Sequence, residues 1–118
     1  MGYMDVPMKS IYVVENEHNE VRIGISQHAS RRIKSLSKQG GFKAVNVYIT
    51  KACSNSYEIK HLIHKELESY RIDGEWFRIS FEDTVKLVNE IFEKKANLVL
   101  KKQRTIVPED IDKMFGGA

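Results

Sequence analysis

Hydrophobic positions recur along this chain with two different periods, and the switches between them outline its elements. Residues 9–14 (Lys-Ser-Ile-Tyr-Val-Val) are rich in β-branched and aromatic types, and residues 21–25 alternate apolar with other side chains. Both stretches read as strands, and the polar run 15–20 between them makes a hairpin. From Ala29 the period lengthens: Ala29, Ile33 and Leu36 fall at i, i+4 and i+7, one face of a helix that Gly40-Gly41 brings to an end. Residues 42–50 return to alternation through Val45, Val47 and Ile49, predicting a third strand whose apolar face completes the sheet. Asn55 and Glu58 have capping-box spacing, and Ile59, Leu62, Ile63, Leu67 and Tyr70 trace the buried face of a second helix. Asp73-Gly74 marks a turn and residues 75–79 a short extended piece. Ser80 with Asp83 then opens a third helix bearing Val85, Val88, Ile91 and Phe92. The fold class expected is α+β: a small three-stranded, mostly antiparallel sheet flanked by helices, in the order ββαβα, short extended piece, α.

Residues 1–8 form an N-terminal extension, 9–98 the domain, and 99–118 a basic joint, Lys101-Lys102-Gln103-Arg104, followed by a tail. In that tail Ile111, Met114 and Phe115 share one face, a candidate surface for a protein partner. A chain of 118 residues with 42% hydrophobic and 30% charged residues has room for one ordinary globular domain. No run approaches the roughly 20 apolar residues that span a bilayer, and the polar opening lacks the apolar stretch of a secretory signal. A cytoplasmic, intracellular protein is expected. A single cysteine, Cys53, excludes a disulfide framework and a thiolate zinc cluster.

Charge alters the picture through its distribution. The formal net charge is only +3, yet residues 21–57 hold no Asp or Glu while carrying Arg22, Arg31, Arg32, Lys34, Lys38, Lys43 and Lys51. A stretch of one sign within a compact domain makes a positive face, and its natural partner is a polyanion. Arg22, Arg31 and Arg32 are expected on phosphates, with Lys34, Lys38 and Lys43 adding salt-dependent affinity; DNA is the expected partner and RNA stays open. No helix shows a pattern that would specify bases. Trp76 and Phe77 read as core closers, with a platform for a base as the alternative. His61, His64 and Glu68 have a spacing that could chelate a metal, but no further ligand stands near them in sequence.

Ser10-Ile11-Tyr12 in the first strand and Arg22-Ile23-Gly24 in the second, with Arg32 early in the helix, resemble the GIY-YIG nuclease superfamily. Leu62-Ile63-His64 and Arg71-Ile72-Asp73-Gly74-Glu75-Trp76-Phe77 look like the ending of its short phage-type DNA-binding branch. The resemblance covers about residues 10 to 90. It implies that Tyr12 helps activate water, that Arg32 contacts the phosphate, and that a helix glutamate holds one divalent cation, magnesium or manganese. The chain departs from that pattern at three places: Arg22 replaces the second tyrosine, Leu36 a histidine, and Lys60 the metal-binding glutamate. An ammonium repels a divalent ion and attracts phosphate, so Lys60 joins the nucleic-acid-binding candidates and Glu75 is left as the acidic candidate for the metal. Three readings follow. The residues favour a DNA-binding module with an incomplete catalytic set, the alternatives being an active metal-dependent endonuclease with a rearranged site and a protein-interaction factor using the C-terminal tail.

Overall fold

Strand β1 (Ser10–Asn16) sends alternate side chains into two separate cores, Ile11 and Val13 to one side and Tyr12 and Val14 to the other. All four are buried, so β1 is an interior strand. The computed structural model of the protein describes residues 7–98. Strand β2 (Val21–Ser26) pairs antiparallel with β1 in a register running from Ser10↔Ser26 to Glu15↔Val21. The intervening turn is tied by Asn16, whose side-chain oxygen accepts from the backbone N–H groups of His18 and Glu20.

Helix α1 (Ala29–Gly40) lies on the face of Tyr12 and Val14, burying Ala29, Ile33 and Leu36 as its spacing predicts. It ends at Gly41, whose φ of 66° permits the left-handed turn in which its N–H donates to the Ser37 carbonyl. Strand β3 (Ala44–Ile49) pairs with the other edge of β1. Helices α2 (Ser56–Glu66) and α3 (Phe81–Lys95) cover the opposite face, where Ile11, Val13, Val21, Ile23, Ile59, Ile63, Phe77 and Val88 form the larger core. The helices are therefore segregated, one against two, by the sheet.

The expected three-stranded sheet is corrected: the sheet has five strands, all antiparallel, in the order β3-β1-β2-β5-β4. After α2 and a 3-10 turn over Glu68–Tyr70, strands β4 (Arg71–Asp73) and β5 (Trp76–Phe77) form a tight hairpin around Gly74 that adds to β2. Strands of three and two residues are too short to show a period, and Arg71-Ile72 follows the helical pattern without a visible break. Two smaller corrections follow. Asn55 does not cap its own helix: its side chain donates to the Lys95 carbonyl and accepts from Asn97 N–H, tying α2 to the end of α3. Strand β3 joins the sheet through its backbone, but Val45 and Val47 remain 47% exposed at this edge.

No helix among the described residues is long and apolar enough to cross a membrane. Ile111, Met114 and Phe115 lie outside the described residues.

Candidate nucleic-acid interface

Burial of Ala29, Ile33 and Leu36 fixes the rotation of α1 and so decides where its cations go. Arg31, Lys34 and Lys38 fall at i, i+3 and i+7 on the exposed side, with Arg32 on the adjoining rim; all four are exposed. None of them enters an ion pair among the described residues. The first turn of the helix contains no acidic residue, and its N-cap, His28, makes no side-chain capping bond. Two arginines thus stand where uncapped N–H groups already place partial positive charge. Arg31 and Arg32 line a concavity of about 270 Å³ with Ser26, His28 and Ser35.

The other expected phosphate binders are held differently. Arg22 and Lys60 converge on one carboxylate, Glu75, at 3.3 and 2.8 Å through its two separate oxygens. Both cations are mostly shielded, with side chains 21% and 17% exposed. Lys60 also lies over the Tyr57 ring, 5.3 Å from its centroid. Lys43 is exposed, and its backbone N–H donates to Glu17 at 2.8 Å. That bond, more than any other influence, holds the Glu17 carboxyl below its usual range. Of the seven expected nucleic-acid contacts, Arg22 and Lys60 are therefore compensated, while the four on α1 and the Lys43 ammonium enter no ion pair among the described residues.

Tyr12 is buried among Val14, Ala29, Ile33 and Leu36, and it does not line the concavity that holds Arg31 and Arg32. Its ring occupies the space above Gly24: a Cβ there would come within 2.4 Å of the phenolic oxygen and 2.5 Å of Cζ. Glycine is required at that position by the close approach of a ring.

The residues present do not fit the divalent cation that the resemblance implied. Glu75 spends both oxygens on cations, and no cluster of three His, Cys, Asp or Glu exists among the described residues. His61 and His64 diverge. His61 is exposed and stacks with Tyr57, whereas His64 is buried against Phe77, its Nε2–H donating to the Ile23 carbonyl at 2.9 Å. Burial pushes the His64 imidazole below its usual pKa, opposed by that hydrogen bond. Burial likewise raises the Cys53 thiol, which suits packing rather than nucleophilic chemistry.

Sequence reasoning missed a second concavity at the far end of α1. It has a volume of about 510 Å³, and Arg22, Gln39, Phe42, Asp73 and Trp76 are among the residues around it. They come from α1, two different strand pairs and a loop, so no spacing links them in the sequence.

Fold and surface together define a small α+β domain with an uncapped, basic helix on one side of its sheet. The chain belongs to the T5orf172 domain family, whose model matches residues 9–92. This match corrects the GIY-YIG assignment. The tripeptides that suggested it are what this hairpin requires for packing: Ile11 and Ile23 fill the larger core, and Gly24 makes room for Tyr12. No curated protein and no solved structure gives a significant match to the chain.

Proposed function

We infer that the protein is a DNA-binding module that holds the phosphate backbone on the first turn and exposed face of α1. One observation carries this reading: Arg31 and Arg32 occupy the positive end of a helix that has no acidic residue in its first turn and no side-chain cap. Like charges at that end cost an isolated helix roughly 0.3–1 kcal/mol each, and a bound phosphate reverses the sign of that contribution. Lys34 and Lys38 extend the site along the same face. The reading needs no magnesium or manganese, because Glu75 is engaged by Arg22 and Lys60 and serves to order them.

Fluorescence anisotropy on a short labelled duplex across a range of salt tests the proposal. Replacing Arg31 and Arg32 together by alanine should weaken binding about tenfold or more and flatten the logarithmic salt dependence by about 2, uniformly across sequences. Affinity that is unchanged in the double variant would overturn it. Incubating supercoiled plasmid with the protein in magnesium, manganese or EDTA should show retardation without nicking in all three. Metal-dependent nicking that disappears with Arg32→Ala would establish an endonuclease instead.

A further inference from the structure

We propose that the concavity at the C-terminal end of α1 receives an unpaired nucleobase, guanine foremost, from the strand whose phosphates lie on α1. This rests on the DNA-binding reading above and assigns its site a second part. The volume of about 510 Å³ falls within the roughly 300–1,000 Å³ typical of small-ligand sites. Its aromatic wall is Trp76, set edge-on to Phe42 at 5.1 Å between ring centroids with an interplanar angle of 89°. Trp76 is only half-buried, and its indole N–H has no acceptor among the described residues. A tryptophan that served only to close a core would be covered, as its neighbour Phe77 is.

The polar groups around the cavity divide into spent and free. Asn16 uses its side chain on the hairpin turn and on Glu20, and Glu20 is further engaged by Arg78. Gln39 donates to the Ser35 hydroxyl. Among the groups that remain, the Asp73 carboxylate and the Trp76 N–H have no partner among the described residues, and the His18 imidazole lines the same cavity. A carboxylate acceptor beside an N–H donor complements a base with adjacent N–H groups on one edge and an acceptor on another. Guanine has that arrangement and thymine does not. From Arg31 to Gly40 the helix rises about 13 Å, some four base steps along one strand, so the basic face and the cavity lie within reach of one bound nucleic acid.

Trp76 is the only tryptophan of the chain, so its emission reports the cavity directly. The full-length protein is titrated with a paired duplex, the same duplex carrying one unpaired guanine, one carrying an unpaired thymine, and deoxyguanosine monophosphate alone. The unpaired-guanine duplex should bind about tenfold more tightly than the paired one and quench Trp76. Asp73→Asn should reduce that preference while leaving affinity for the paired duplex unchanged, a comparison that does not depend on disturbing the aromatic pair. Equal affinity for paired and unpaired duplexes, with no quenching, would overturn the base site and leave the α1 reading intact. Failure of every nucleic acid to bind would overturn both. Saturation by the mononucleotide as tight as by the unpaired-guanine duplex would overturn the strand as source of the base.

Discussion

Helices α1 and α3 cover opposite faces of one sheet and are built on opposite electrostatic plans at their N-terminal ends. In α3 the Ser80 hydroxyl accepts from Asp83 N–H, Glu82 and Asp83 occupy the first turn, and Lys94 and Lys95 the last, each placed where the helix dipole favours it. In α1 the cap is missing, no acid stands in the first turn, and two arginines do. Burial differs in the same sense. Among the described residues, the core beneath α2 and α3 contains ten buried side chains and the one beneath α1 five. One face carries the larger core and a capped helix, while the other carries the smaller core and leaves the α1 cations outside any ion pair among the described residues.

The sharpest way to break this contrast is Gly24→Ala, which places a methyl group against the Tyr12 ring on the smaller face. Overpacking of this kind costs about 1–3 kcal/mol, measurable as a lowered midpoint of urea unfolding. An unchanged midpoint would mean that the α1 face is loose enough to absorb the ring's displacement. Next in size is Ser80→Ala, expected to cost about 1 kcal/mol by loss of the α3 cap. The same measurement on His28→Ala should show no comparable loss, since His28 caps nothing through its side chain.

Acidification sharpens the comparison on the larger face. His64 is neutral in the folded protein because burial holds its pKa below the unfolded value of about 6.5, so the unfolded chain takes up more protons below that value. The groups influencing it are Glu75, which favours the charged form, and Lys60 and Arg71, which oppose it. Stability should be full above about pH 6.5 and fall as the pH drops below it, and His64→Gln should remove that slope. A midpoint that rises on acidification would contradict the buried neutral imidazole.

The smallest effect is also the most diagnostic. Ser30→Asp puts an acid into the first turn of α1 and should raise stability by about 0.3–1 kcal/mol while weakening DNA binding, two changes of opposite sign from one residue. DNA binding that is not weakened in this variant would mean that the positive end of α1 has no part in phosphate binding.

The long periodic elements were legible in the sequence because a buried stripe must repeat with the backbone that displays it. Ala29, Ile33 and Leu36 on α1, and Ile59 and Ile63 on α2, occupy the positions their spacing implied, and the acid-free run of residues 21–57 announced a positive face. Tertiary structure alone decided which cations are paired and which are not. Arg22 and Lys60 come from different elements, and only the β4–β5 hairpin, whose strands are too short to leave a periodic trace, brings Glu75 between them. The same hairpin sets Trp76 against Phe42 and opens the cavity beside α1. Periodicity is a local property that a sequence displays, whereas the pairing of charges and the shape of a cavity depend on residues that meet only when the chain closes on itself.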